Sequence, residues 1–287
     1  MEQILVTGSE GQLGRCIHEI SDMYHDRFQI HYTDIKELDI TNPEAIGEYC
    51  KKREISTIIN TAAYTAVDLA EEQMDICYMI NRDGVSHLSN VAKENGIFLI
   101  HISTDYVFDG QFGGAYIETD QTNPLSVYGK SKLAGEDKMK ETGIDGIIIR
   151  TSWLYSHYGK NFLKTILRLS QERRRIQVVS DQYGTPTNGI DLAKIILMMV
   201  EEKHRISGVE TFHYTNSGKC SWYDFARLIV ERSGSKCQVE PIETASYPTK
   251  ARRPQDSELS KEKLKHFLGI EISSWEERVE STLQKVL

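Results

Sequence analysis

Cysteine is scarce and unpatterned: Cys16, Cys50, Cys77, Cys220 and Cys237 fall at irregular spacings, with no C-x-x-C pair among them. An odd set without such pairs excludes a disulfide framework and a thiolate zinc site, so the five read as buried thiols. No apolar run approaches the ~18 residues that cross a bilayer. The Met1-Glu2-Gln3 start also lacks the basic flank and cleavage site of a secretory signal. The expectation is a cytoplasmic protein without a membrane partner. Positive charge is in the minority, 34 Lys+Arg against 42 Asp+Glu, for a formal net charge of −8. The one basic cluster, Arg173-Arg174-Arg175, reads as closing a helix against its dipole. Without a basic stripe to neutralise phosphates, no nucleic-acid partner is expected.

What remains is an ordinary folding composition, 39% hydrophobic and 26% charged over 287 residues, enough for one large core or two smaller ones. Short β-rich runs recur at Ile4-Leu5-Val6, Phe28 to Tyr32, Thr57-Ile58-Ile59, Phe98 to Ile102, Ile147-Ile148-Ile149 and Gln177-Val178-Val179, with helix-length segments between them. Several runs are apolar at consecutive positions, as strands covered on both faces require. This pattern predicts an α/β fold, a Rossmann-type doubly wound parallel sheet with a smaller mixed C-terminal lobe. Thr41-Asn42-Pro43-Glu44 caps a helix toward Arg53, and Leu192, Ile195, Ile196, Met199 and Val200 mark another ending near His204. After Gly208 the spacing predicts helices over Ser221 to Arg232 and Ser260 to Phe267 without further regular strand alternation. The expected division is a dinucleotide-binding domain over 1–155 plus about 176–205, and a substrate lobe over about 156–175 and 206–287.

Directly after the first run comes Thr7-Gly8-Ser9-Glu10-Gly11-Gln12-Leu13-Gly14. Gly8 permits a sharp turn, Gly11 lets the backbone approach a pyrophosphate, and Gly14 allows close helix packing. A helix starting near Gln12 and Leu13 offers free N–H groups to the phosphates. Asp34, at the end of the second run, suits a ribose 2′-hydroxyl and favours NAD. The neighbouring Lys36 and an outward turn of the Ile35 loop leave NADP open. Asp39 and Ile40 are placed to flank the adenine. Asn60-Thr61-Ala62-Ala63-Tyr64-Thr65 supplies mostly small side chains at the third strand's end, leaving room for a cofactor.

Tyr128 and Lys132 lie four apart on one face of a helical stretch. A phenol of ordinary pKa near ~10 is a poor acid at neutral pH, and a nearby ammonium lowers it toward the working range. Thirty residues upstream the fourth run ends in His101-Ile102-Ser103-Thr104-Asp105, where Thr104 can hydrogen-bond a substrate carbonyl.

The glycine turn, the hydroxyl at the fourth strand's end and Tyr-x-x-x-Lys together resemble the extended short-chain dehydrogenase/reductase superfamily. Five further segments, Ala62 to Asp68, Ser103 to Gly110, Arg150 to Tyr155, Asp181 to Thr187 and Arg252-Arg253-Pro254, resemble the dTDP-4-dehydrorhamnose reductase family over nearly the whole chain. The resemblance implies hydride transfer from NADPH or NADH to the C4 carbonyl of a nucleotide sugar, in a pathway serving cell-surface polysaccharide. Tyr128 would be the proton donor, and Lys132 would tune it and hold the nicotinamide ribose. Thr104 and Asp105 would contact the sugar, Trp153 and Val67 would pack on it, and Arg253 would meet the pyrophosphate. The chemistry needs no metal. Some family members dimerise around a metal, Mg2+ for example, held by acidic residues, one of them just after the glycine turn. Arg15 stands there in this chain, against a metal-linked dimer and leaving a monomer or homodimer. Two rival readings are a related sugar-nucleotide epimerase or dehydratase, and a non-catalytic NADP-binding regulatory subunit.

Overall fold

A computed structural model describes all 287 residues. The longer strands, in chain order, are β1 (Glu2–Thr7), β2 (Phe28–Thr33), β3 (Thr57–Asn60), β4 (Phe98–Thr104), β5 (Gly146–Thr151), β6 (Arg175–Val179), β7 (Val209–His213) and β8 (Gln238–Ile242). The longer helices are α1 (Gln12–Ile20), α2 (Pro43–Arg53), α3 (Gly84–Asn95), α4 (Val127–Thr142), α5 (Phe162–Glu172), α6 (Gly189–Glu201), α7 (Trp222–Arg232) and α8 (Trp275–Leu283).

Six strands form one parallel sheet in the order β7-β5-β4-β3-β1-β2. The side chains of the consecutive apolar runs divide between two helix layers. Ile4, Val6, Ile59, Ile147 and Ile149 pack with α1 and α6, while Leu5, Ile58, Leu99 and Ile148 pack with α2 and α3. Both faces of the sheet are therefore covered, which is why these strands lack polar alternation. The chain goes from β1 outward to β2 and returns on the other side of β1 to β3. This reversal opens a crevice beyond the carboxyl ends of β1 and β3, where open α/β sheets bind ligands.

Local sequence explains how several elements begin. Asn42 accepts the Ala45 N–H at 3.1 Å ahead of Pro43, Ser126 caps α4 through Gly129 at 3.1 Å, and Ser221 with Asp224 forms a capping box on α7. All five cysteines are free and buried. No helix is long and apolar enough to cross a membrane.

Two strands lie elsewhere than their sequence suggests. Gln177-Val178-Val179, read with the sheet-forming runs, belongs to β6, which pairs in parallel with β8 outside the large sheet. Ile176 and Val178 point to a third apolar cluster with Leu163, Phe225 and Ile229, while Arg175 and Gln177 are exposed. This is one-sided patterning, suited to a strand covered on one face. Conversely, β7 lies in the tail expected to lack regular strands, yet it is the edge strand beside β5. Its Glu210 and Thr211 are half-buried, which dilutes the apolar signal that marks the central strands. Helix α8 was also unanticipated, and its Trp275, Val279 and Leu283 complete the third cluster.

Candidate active site

The turn from β1 into α1 requires glycine for steric reasons. Gly8 has φ +68°, and a Cβ there would lie 2.6 Å from the Ala62 backbone nitrogen. A Cβ on Gly14 would lie 2.5 Å from the Cα of Ser9. Gly11 precedes α1 without a side-chain cap, so the first N–H groups of the helix remain available to an anion.

Beyond this turn lies a cavity of about 430 Å³ lined by Gly8, Gly11, Asp34, Ile35, Asp39, Ile40, Ala62 and Ala63 among the expected residues. Thr61, from the small-residue segment after β3, and Glu10, Leu38 and Ile80, which had no expected role, complete the lining. Ile80 sits on a π-helical turn, Met79–Asp83, that no sequence period announces. Asp34 is fixed by the backbone, its Oδ2 accepting from Glu10 N–H at 2.9 Å and its Oδ1 from Ile35 N–H at 2.8 Å. Asp39 Oδ1 accepts from both the N–H and the hydroxyl of Thr41, each at 2.8 Å. Arg15 is ion-paired with Glu10.

Five expected cofactor residues of the glycine turn and of the segment after β3 lie outside this lining. Leu13 and Gly14 are buried in packing. The side chain of Gln12 runs to Leu154 O at 3.1 Å and accepts from Asn161 at 2.6 Å. Tyr64 donates its N–H to Asn81 Oδ1 and its hydroxyl to Gln73 Oε1, both at 2.9 Å, while Thr65 is exposed.

At the carboxyl end of β4, Thr104 donates to Asp105 Oδ1 at 3.0 Å and accepts from Tyr106 N–H at 3.2 Å. Asp105 Oδ2 receives the Ser257 hydroxyl at 2.6 Å. Burial pushes the Asp105 carboxyl up to about 6 against these hydrogen bonds, so it is poised between its charged and neutral forms. Helix α4 sets Tyr128 nearby, where the Tyr106 ring meets it edge-on at 5.5 Å. Burial raises the phenol's pKa, the Thr104 hydroxyl draws it down, and the Asp105 charge raises it further.

One turn along, Lys132 is buried and donates to Ile102 O at 2.6 Å, with His101 Nε2 at 3.2 Å. Burial lowers its pKa to about 8, with Glu136 opposing. The helix thus puts Tyr128 and Lys132 on one side as expected. The lysine's polar contacts are to the sheet, not to the phenol. His101 had not been singled out, because a histidine within an apolar strand reads as ordinary core.

Trp153 follows β5 in the left-handed region, φ +47°, an unfavourable conformation for a bulky side chain. Its ring stacks on Trp222 at 3.6 Å and 12°. Adjacent is a second cavity of about 330 Å³ whose walls include Phe162, Gln177, Trp222, Tyr247 and Arg253. Arg253 reaches back to Asp68, next to Val67, with its Nη2 at 2.7 Å and its Nη1 at 3.1 Å from the two carboxylate oxygens. Of these, Asp68, Phe162, Trp222 and Tyr247 had no anticipated site role. The aromatic residues lie in segments that read only as amphipathic helix or loop.

The model of the RmlD substrate binding domain family matches residues 1–287. A dTDP-4-dehydrorhamnose reductase of Aggregatibacter actinomycetemcomitans is 39% identical, the match covering 96% of each chain. Among solved structures, a dTDP-4-dehydrorhamnose reductase of Clostridium acetobutylicum superposes with TM-score 0.94 at 39% identity, covering 99% of both chains. That of Bacillus anthracis in complex with NADP gives TM-score 0.94 at 37% identity, again covering 99% of both. The chain belongs to the dTDP-4-dehydrorhamnose reductase family, within the extended short-chain dehydrogenase/reductase superfamily.

Proposed function

We propose that this chain is an NAD(P)H-dependent oxidoreductase that reduces the C4 keto group of dTDP-4-dehydro-L-rhamnose to give dTDP-L-rhamnose. The observation that carries the reading is the grouping of Thr104, Tyr128 and Lys132 around the carboxyl end of β4, in the same sheet whose β1/β3 crevice is lined by the glycine turn. Full-length similarity to reductases of that name supplies the substrate.

The crevice fits a dinucleotide. Gly8 lets the turn pack against the Ala62 backbone where a Cβ would clash, the uncapped start of α1 leaves N–H groups free for phosphate, Asp34 suits a ribose hydroxyl, and Asp39 with Ile40 would flank the adenine. NADH or NADPH supplies the hydride when bound. Tyr128 donates its phenolic proton to the oxygen that gains charge at C4, and Thr104 holds the same oxygen. Such preorganised donors are worth ~3–4 kcal/mol each in the transition state. Lys132 in its ammonium form stabilises the phenolate left behind and anchors the nicotinamide ribose.

Trp153 and Val67 pack against the sugar nucleotide with Asp105 beside Thr104, and Arg253 meets the pyrophosphate with Asp68 orienting its guanidinium. The division of labour follows the packing: the large sheet with α1 to α4, α6 and β7 serves the cofactor, and the cluster of α5, α7 and α8 with β6 and β8 serves the sugar nucleotide. The test is spectrophotometric, with NADH and NADPH oxidation followed against enzymatically generated dTDP-4-dehydro-L-rhamnose. Substrate-dependent oxidation is expected. A Tyr128→Phe variant should bind cofactor normally while turnover falls ~10²–10⁴-fold. Cofactor binding without oxidation of this substrate by the unaltered protein would return the chain to the epimerase, dehydratase or regulatory readings.

A further inference from the structure

A buried line of polar side chains crosses three strands and ends on Lys132. Thr7 on β1 donates its hydroxyl to Asn60 Oδ1 at 2.7 Å, Asn60 Nδ2 lies 3.0 Å from His101 Nδ1, and His101 Nε2 lies 3.2 Å from Lys132 Nζ. Thr7, Asn60, His101 and Lys132 are each at most 2% exposed, so protein groups must satisfy one another here.

The orientation of Asn60 is fixed by a donor that has no alternative. The backbone N–H of Ala62 points at Oδ1 from 3.1 Å, and an amide N–H can only donate. The other end of the Asn60 amide is therefore its NH2 group, which donates to His101 Nδ1. Complete burial is the leading cause holding His101 well below the usual histidine range, so the ring is neutral and carries one proton. With Nδ1 accepting, that proton resides on Nε2 and faces Lys132. An ammonium has three donors and no lone pair, so a charged Lys132 would set donor against donor at this contact. A neutral amine accepts from Nε2–H and still donates to Ile102 O.

We propose that His101, locked by Asn60 in its Nε2–H tautomer, is a positioning residue that biases Lys132 toward the neutral amine in the free enzyme. This rests on the reading above in which the ammonium form of Lys132 supports proton donation. The free enzyme then gains its active form by taking one proton from solvent onto Nζ, with the Nε2–H contact given up. The other titratable groups acting on Lys132 are Glu136, one turn after it and bound to Arg150 of β5, and Cys77 from the Met74–Tyr78 helix, while Tyr128 one turn before it makes no hydrogen bond to the amine. None of these supplies the same tautomer-dependent contact.

Asn60→Asp inverts the lock without changing size. A carboxylate accepts from Nδ1–H, moves the ring proton to Nδ1, and turns Nε2 into an acceptor for the ammonium. The basic limb of the kcat/KM pH profile should then move upward by at least one unit, a tenfold gain in proton affinity. An unmoved or lowered limb overturns the proposal; the added carboxylate also attracts the ammonium directly, so a raised limb counts for the lock only together with the tautomer measured next. Independently of turnover, nitrogen-15 NMR of the unaltered protein, with His101 assigned by difference from His101→Phe, should show Nε2 protonated and Nδ1 bare. A proton on Nδ1 also overturns it. If the tautomer is as expected but no substrate is reduced, the reductase reading fails while the lock stands.

Discussion

Arg253 grips both carboxylate oxygens of Asp68, with hydrogen bonds of 2.7 and 3.1 Å, across 185 positions of sequence. The pair joins the segment after the Thr244–Ser246 turn to the short helix that follows β3, so it spans from the smaller lobe to the edge of the nucleotide crevice. The hydrogen bonds from Arg253 are the leading cause holding the Asp68 carboxyl below the usual carboxylate range. Nη1 also donates to Ala251 O at 3.1 Å, so the proposed pyrophosphate contact falls to the remaining N–H groups of the fork, and a lysine cannot satisfy Asp68 and a phosphate in that way. Arg253→Lys should therefore raise KM for the nucleotide sugar ~10-fold or more, on the scale of one charged hydrogen bond, with little change in cofactor affinity. Steady-state kinetics with calorimetric cofactor binding check this.

The poised carboxyl of Asp105 gives the fold a pH signature of definite sign. Its unfolded value lies near about 4, and its folded value is raised to about 6 by burial. Between these values the folded state retains a proton that the unfolded chain has released. The stabilisation from that proton is full below about pH 4 and is lost as pH rises to about 6, on the order of 3 kcal/mol in total. Asp105→Asn should flatten this part of the stability curve. Urea unfolding midpoints for both proteins across the window give the comparison, and parallel slopes would remove Asp105 as the source.

The parts of the site that were legible in sequence are those in which neighbours along the chain determine the geometry. Gly8 and Gly14 announce a turn that no side chain fits, and the Tyr128/Lys132 spacing is one helical turn. The central strands were legible because Ile58-Ile59 or Ile147-Ile148-Ile149 are apolar on both faces. Where contacts are made across the fold the signal vanished. Nothing local distinguishes the Asp68–Arg253 pair, or a His101 that contacts Asn60 from another strand and Lys132 from a helix. The misplacement of β6 and β7 has the same origin, since a short strand's partner is set by which face the rest of the chain covers.

Glu136 and Arg150 form the buried ion pair that holds α4 in place. Arg150 Nε donates to Glu136 Oε1 at 2.9 Å and Nη2 to Oε2 at 2.7 Å, while the Ser103 hydroxyl adds a bond to Oε1 at 2.6 Å. Burial, the largest single cause, would raise the Glu136 carboxyl, but the bonds and charge of Arg150, the Ser103 hydroxyl and the Lys140 charge together outweigh it and hold the pKa below its ordinary value. The helix bearing Tyr128 and Lys132 is thereby tied to β4 and β5. Removing one partner leaves an uncompensated charge in a dry site, so Glu136→Ala should cost ~3–5 kcal/mol of stability. Replacing both partners with apolar residues of similar volume removes that orphan charge. The double variant Glu136→Leu with Arg150→Met should recover most of the loss, a non-additivity that urea unfolding of the two singles and the double measures directly. If the double is as unstable as the sum of its singles, the pair acts as two independent packing elements and α4 is held by its apolar face alone.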